Sequence, residues 1–268
     1  MKEILLIDKP AGITSFDVIR ILRRKLKDEN PSTSLRVKIG HAGTLDPMAT
    51  GLMIVGVGEG TKKLKEYLKL PKVYEAEVML GLRTDTGDRE GKILEQAKLG
   101  NLEVEKLEKV LVGMVGKVVL PVPMYSAVKI KGKPLYKYAR ALARRSSSEG
   151  GELVEPPKKE MEVTNCELLA ICHSRPVLDS RVRGNDRCGA GIQYGVNSSG
   201  NPETKTLDSH CHGNDKLIVK VRFEVTSGTY IRSLAEEIGR RLGVPATLWN
   251  LRRTRIGDFR IESAEKLD

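Results

Sequence analysis

The acid best placed for chemistry is Asp46, inside the segment GHAGTLDPMATG from Gly40 to Gly51. Gly40, Gly43 and Gly51 permit backbone conformations and close approaches that residues with side chains resist, and Pro47 stiffens the turn directly after the acid. A carboxylate fixed on a rigid loop between basic segments is an unusual group to set beside a polyanion. Taken alone, an Asp-Pro pair more often does no more than organise its own turn. Four other residue types stand out, each with a plain structural alternative. Arg232, in GTYIRS, reads by itself as a phosphate-binding or helix-surface arginine. Tyr74 reads as a core residue beside Ala76 and Val78. His41 is one of four histidines, and a lone loop histidine is usually incidental. Lys129, Lys131, Lys133, Lys137 and Arg140, with Tyr136 and Tyr138 among them, form either a solvated lysine face or a surface for a nucleic-acid backbone.

Several elements must position these groups. A short strand at Ile4–Ile7 leads through Lys9-Pro10-Ala11-Gly12 into a helix that Thr14 or Ser15 can cap, with Val18, Ile19, Leu22 and Leu26 on one face. The loop from Gly40 to Gly51 then feeds a buried strand at Leu52–Val57. Residues 73–82 alternate, with Tyr74, Ala76, Val78 and Leu80 on one side and Glu75 and Glu77 on the other. Residues 103–113 read as a helix, 125–130 as a strand and 134–143 as a basic helix. Strands are expected at Met161–Ile171 and from Leu217, where Leu217, Val219, Val221, Phe223 and Val225 face inward. A last helix carries Ile231, Leu234, Ala235, Ile238 and Leu242 at helical spacing and stops at Gly243. With no regular strand–helix–strand rhythm, the order predicts an α+β fold around a largely antiparallel mixed sheet flanked by helices and loops.

Between the strands ending at Ile171 and starting at Leu217 the composition shifts to Ser, Gly, Asn and Asp. LDSRVRGND begins at Leu178 and LDSHCHGND at Leu207, 29 residues apart. Two copies without apolar periodicity cannot build a solenoid. They resemble peptides translated from small mobile palindromic elements, and residues 174–215 are expected to be an insertion in a hairpin connection.

The 268 residues suffice for a sizeable core, with 30% charged and 40% apolar residues. Lys and Arg (46) exceed Asp and Glu (35), a formal charge of +11 that favours a polyanionic partner. The four-residue apolar run Ile4–Ile7 is too short for a signal peptide, and no stretch approaches the ~20 apolar residues that cross a bilayer. Cys166, Cys172, Cys188 and Cys211 show no tight pairing pattern, so reduced thiols in a cytoplasmic protein with no membrane association are expected. GVGEGTKK at 56–63 lacks the Gly-Lys-Ser/Thr ending of a phosphate-binding loop. Cys188, His210, Cys211 and His212 lack the ligand spacing of structural zinc, so no metal is expected.

Taken together, LLIDKPAGITSFD and GHAGTLDPMATG resemble the signature of the TruB-type tRNA pseudouridine synthases. The resemblance continues in order through VYEAEVMLGLRTDTGDREG (73–91), PMYSAVKIKGKPLYKYAR (123–140), SGTYIRSLAEEIG (227–239) and LRRTRIG (251–257). It implies the pseudouridine synthase fold over 1–268. It also implies an isomerase that converts the T-arm uridine at tRNA position 55 to pseudouridine without a cofactor. The C1′–N1 bond breaks, the uracil turns over, and C1′ joins C5. The family's pattern makes Asp46 the nucleophile, a group able to add to an electron-poor centre and later depart. It makes Arg232 the cation that keeps this acid ionised. Tyr74 becomes the ring stacked on the target base near the proton lost from C5. Tyr230 packs against the flipped nucleotide and Leu251 lines the same pocket. His41 fills the space the base vacates, and Lys129 and Lys131 bind the tRNA backbone.

Bacterial members usually continue into a small C-terminal PUA-like RNA-binding module, for which a chain stopping at Asp268 leaves no room. The segment 144–160 is longer and more polar than the family pattern. Two alternatives stay open: a pseudouridine synthase acting on another RNA, and an RNA-binding helper of tRNA folding whose chemistry is secondary. A monomer is expected, since nothing resembles a repeated association surface.

Overall fold

A computed structural model describes residues 3–29, 37–99, 102–144, 154–174, 192–193 and 216–267. In chain order the elements begin with β1 (Ile4–Lys9), α1 (Ser15–Glu29), β2 (Ile39–Ala42), β3 (Thr50–Val57), α2 (Leu64–Lys69) and β4 (Lys72–Leu80). There follow β5 (Leu82–Thr84), β6 (Ile93–Gln96), α3 (Val104–Val112), β7 (Gly116–Pro121), β8 (Lys129–Ile130), β9 (Lys133–Pro134) and α4 (Leu135–Arg144). The rest are β10 (Lys158–Ser174), β11 (Ile192–Gln193), β12 (Lys216–Val225), α5 (Ile231–Leu242), β13 (Ala246–Ile256), β14 (Phe259–Arg260) and β15 (Glu265–Lys266). This is the α+β class read from the sequence. The strand pairs β1–β3, β2–β3, β7–β10, β10–β11 and β13–β14 are antiparallel, whereas β1–β15 and β3–β13 are parallel.

The chain divides into two compact units. Unit 1 comprises residues 1–76, 222–227 and 250–268; unit 2 comprises 77–221 and 228–249. The chain passes from one to the other within β4, within β12, after Ser227 and within β13.

In unit 1, β3 carries Leu52, Met53, Ile54 and Val55, each fully buried, which is why it reads as a continuous apolar run rather than an alternation. Ala42, Leu52, Ile54, Leu64 and Ile256 form a core against which Ile4, Leu6, Tyr67 and Phe259 pack. Each fully buried Leu or Ile contributes about 1.5–3 kcal/mol. One edge of β3 pairs with β1 along Gly51–Gly56. Elsewhere β3 pairs with β13 at Thr50–Gly51 and with β2 at Ile54–Val57. The Asp46 loop joins β2 to β3 beside this change of partner. Of the expected loop, residues 40–42 belong to β2 and 50–51 to β3, so the irregular part is shorter than the glycines suggest. Helix α1 starts as expected: the Asp17 amide donates to the Thr14 hydroxyl (3.1 Å) and the Thr14 amide donates to the Asp17 carboxylate (2.8 Å).

In unit 2, Met79, Leu82, Ala170, Cys172 and Ile218 form a core with Trp249 against it. Helix α5 ends at Gly243, whose φ of +80° closes the last turn as anticipated. The alternation from residue 73 stops at Leu80, because Gly81 (φ +85°) turns the chain before β5. The strand expected at 125–130 is reduced to β8. The Ser126 and Val128 carbonyls accept the Tyr136 and Leu135 amides, so this segment serves the start of α4 rather than a neighbouring strand. β8 and β9 meet at Lys131 (φ +48°) and Gly132 (φ +78°), two successive left-handed residues that suit a tight hairpin.

The expected insertion at 174–215 lies outside the described residues apart from Ser174 and β11, where Ile192 pairs with Ile171. Cys188, His210, Cys211 and His212 lie outside them as well. Among the described residues, no helix is long and apolar enough to cross a membrane.

Candidate active site

Asp46 is half-buried on the irregular stretch between β2 and β3, and this stretch is held from beneath by three buried polar side chains. Lys9, fully buried at the end of β1, donates from Nζ to the Pro47 carbonyl (3.1 Å) and the Ala49 carbonyl (2.6 Å). Ser15, the first residue of α1, accepts the Leu45 amide (2.8 Å) and donates to the Leu45 carbonyl (3.0 Å). Arg253, on β13 and 1% exposed, donates from Nη2 to the Gly43 carbonyl (3.1 Å) and from Nε to the Leu52 carbonyl (2.8 Å). The loop closes on itself through the Ala49 amide and the Asp46 carbonyl (3.1 Å), and the Gly12 amide donates to the Pro47 carbonyl (2.9 Å). Ordering this backbone costs roughly 1–2 kcal/mol per residue, which these buried bonds offset; the result is a carboxylate whose backbone is fixed before any ligand arrives.

Gly51 is needed for a steric reason. Its φ is +109°, and a Cβ there would strike the Arg253 backbone on the paired strand. Gly51→Ala is expected to cost about 3 kcal/mol or more, since left-handed strain and a backbone clash add. Urea unfolding measures it, and a loss below 1 kcal/mol on the same kind of strain would contradict this geometry.

Tyr74, on β4, is 7% exposed. The Arg253 guanidinium lies 6.0 Å from its ring centroid, with Nη1 at 3.5 Å from the hydroxyl. Leu251, two residues before Arg253 on β13, is 8% exposed. His41, on β2, is half-buried; burial and then the Arg253 charge hold its imidazole below the usual histidine pKa, against a hydrogen bond with the Gly43 backbone. Lys72, at the start of β4, is depressed to about 8 for the same two reasons, burial first and Arg253 second. Its Nζ donates to the Leu68 and Leu70 carbonyls at the end of α2 (3.0 and 2.6 Å), where a helix favours a cation. Asp46, His41, Tyr74 and Leu251 thus all belong to unit 1.

Tyr230 and Arg232 belong to unit 2. Tyr230 precedes α5 and is half-buried; its amide donates to Met161 Sδ (3.5 Å) and Lys159 Nζ lies 5.6 Å from its ring centroid. Arg232, 7% exposed, donates from Nη1 to the Thr86 carbonyl (3.1 Å) and from Nη2 to the Tyr125 carbonyl (3.0 Å), with the Asp88 carboxylate at 3.8 Å. Asp88 is itself held by the Thr86 hydroxyl (2.7 Å) and the Glu90 amide (3.1 Å). Arg232 is therefore no helix-surface arginine. Lys129 and Lys131 are exposed on the β8–β9 hairpin, and Lys133, Lys137 and Arg140 are exposed nearby in sequence. Tyr136 lies under Arg140 at 5.3 Å, and Tyr138 donates to the Ile130 carbonyl (3.2 Å), so the aromatic groups of this segment brace it.

Sequence reasoning overlooked Lys9, Ser15, Asp88 and Arg253, although all stand inside the quoted motifs. A period of two from Leu251 would have put Arg253 on the same face as that buried residue, the one local signal available.

This architecture is found in solved structures. The chain matches the crystal structure of a Cbf5-Nop10-Gar1 complex with a TM-score of 0.54 at 23% identity, covering 98% of this chain and 52% of that one. A Nop10-Cbf5 complex of the archaeal box H/ACA sRNP matches with a TM-score of 0.52 at 23% identity, with 50% of that chain covered. The fold is thus shared with those solved chains, of which this chain spans about half the length. The model of the TruB family pseudouridylate synthase N-terminal domain matches residues 24–192. The tRNA pseudouridine synthase B of Lactobacillus delbrueckii subsp. bulgaricus is 34% identical over 266 residues, covering 99% of this chain and 72% of that protein. Its counterpart from Carboxydothermus hydrogenoformans is 37% identical over 261 residues, covering 97% of this chain and 71% of that protein. The chain belongs to the TruB family of pseudouridylate synthases.

Proposed function

We propose that this protein isomerises the T-arm uridine of tRNA to pseudouridine, with Asp46 as nucleophile and no cofactor. The observation that carries the reading is the Asp46 loop: the family's acid stands here on backbone that Lys9, Ser15 and Arg253 fix at residues 43, 45, 47, 49 and 52. The Asp46 carboxylate adds to the uridine, the C1′–N1 bond breaks, the uracil turns over, C1′ joins C5, and the C5 proton departs as the carboxylate is released. Tyr74 stacks on the base and stands near the departing proton. Tyr230 and Leu251 cover the flipped nucleotide, and His41, whose imidazole burial holds below the usual histidine pKa, fills the space it leaves. Unstacking the base costs a few kcal/mol, which new stacking and hydrogen bonds must offset. Arg232 keeps the acid ionised, a role supported by the family's pattern and by a buried guanidinium that is held on two carbonyls. Lys129 and Lys131 neutralise backbone phosphates, and the formal charge of +11 favours the same polyanion.

The test is release of tritium from unmodified tRNA labelled at uridine C5. Stoichiometric release from one uridine of the T-arm supports the reading, while tight tRNA binding with no release supports a folding helper instead. Replacing residues 174–215 with a short glycine-containing turn is expected to leave melting temperature and release largely intact, because doubling a loop changes its closure cost by only about 0.6 kcal/mol. A folded deletion variant without turnover would mean that the segment takes part in function.

A further inference from the structure

Five backbone positions of the nucleophile loop are held by side chains, but the three side chains do different jobs. Lys9 and Ser15 hold its middle, at residues 45, 47 and 49. Arg253 alone holds both ends. Its Nη2 binds the first carbonyl of the loop, at Gly43, and its Nε binds Leu52, just inside the strand that follows. The third nitrogen, Nη1, faces the Tyr74 hydroxyl. The guanidinium is planar and rigid, so these three partners are fixed relative to one another by one group. Two glycines make room for it: a Cβ at Gly43 would come within 3.3 Å of Nη1, and β3 approaches the Arg253 backbone at Gly51 too closely for any side chain. Among the described residues no carboxylate is ion-paired with Arg253. Carbonyl dipoles take that place, an expensive arrangement for a buried cation if its only use were to fill space.

We propose that Arg253 is the positioning residue of the reaction: it ties the two ends of the Asp46 loop to the Tyr74 hydroxyl, so that nucleophile and base-stacking ring are held in one geometry. It acts through Asp46 and Tyr74 and, being 1% exposed, does not touch the RNA. The proposal rests on the reading of Asp46 as nucleophile. Its loss slows the step at the uridine and leaves tRNA affinity alone, because positioning errors near 1 Å cost on the order of 10²-fold in rate.

The comparison is between wild type, Arg253→Lys and Arg253→Met. Lysine keeps a cation but has no fork to join Gly43, Leu52 and Tyr74. In Arg253→Lys, amides 43–52 are expected to exchange with solvent at least ~10-fold faster, and single-turnover tritium release to fall about 30–100-fold, with the tRNA Kd within about threefold of wild type. Release within threefold of wild type, or a Kd that rises by the same factor as the rate falls, overturns the proposal. The charge is read separately from the His41 titration followed by NMR. The imidazole pKa should rise in Arg253→Met and stay low in Arg253→Lys, and an unchanged value in both contradicts the placement of the guanidinium. If wild type itself releases no tritium, the functional reading fails. Amide exchange then still decides whether Arg253 ties the loop, and unchanged exchange in Arg253→Lys sinks that claim. Should neither variant fold, the wild-type Arg253 Nε proton gives the answer: exchange as slow as core amides is expected, and rapid exchange overturns the proposal.

Discussion

Asp46→Asn is expected to abolish tritium release from C5-labelled tRNA, by at least ~10⁴-fold, while the tRNA Kd stays within about threefold. The substitution changes one oxygen for an NH2 group on a half-buried side chain. Every loop interaction described above is made by the backbone at 43, 45, 47, 49 and 52, or by the Asp46 carbonyl itself, and these survive. The backbone bonds that shape the loop therefore remain, and the melting temperature of the variant reads what the carboxylate itself adds to stability. What is lost is the only property a nucleophile cannot do without, an electron-rich oxygen able to form and then release a bond. Retained release above a few per cent would end the assignment. Loss of release accompanied by loss of folding would point to a structural acid.

Arg232→Met is expected to have the second largest effect, and on two quantities at once. The methionine fills the volume but removes the donors to Thr86 and Tyr125 and the charge facing Asp88. Asp88 is 7% exposed, and leaving a buried carboxylate without its cation costs about 3–5 kcal/mol; the two abandoned carbonyls add about 1 kcal/mol each. A drop in melting temperature of many degrees should result. Turnover, measured well below the new melting point, should fall by a further ~10²–10³-fold, the usual cost of removing a fixed charge that favours the reacting form. The pH profile separates the two effects: if Arg232 keeps the nucleophile ionised, residual turnover in Arg232→Met will need higher pH than wild type. A full-rate variant with lowered stability would leave Arg232 a purely structural role.

Much of the frame was legible in the chain. The alternation from Tyr74 to Leu80, the inward residues of β12 and the helical spacing of α5 with its closing glycine all appear where local periodicity placed them. Local capping was legible too, since Thr14 and Asp17 are three residues apart and need nothing else. The errors share a cause. Residues 125–128 carry a strand-like composition, but their carbonyls are claimed by the start of α4. β13 was overlooked because Arg252, Arg253 and Arg255 make a polar run that no local rule assigns to a strand with buried positions.

For the candidate site the division is sharper. Sequence alone determined which acid stands on the glycine-bearing loop and, through motifs in a fixed order, which family the chain resembles, because residue types and spacing are written in the chain. Only the tertiary structure decided which basic side chains are buried beneath that acid. Arg253 is separated from its partners Leu52 and Gly43 by 201 and 210 residues, and Lys9 from Ala49 by 40. A buried cation is tolerated where carbonyls converge on it, and carbonyls from such distant positions converge only once strands have paired.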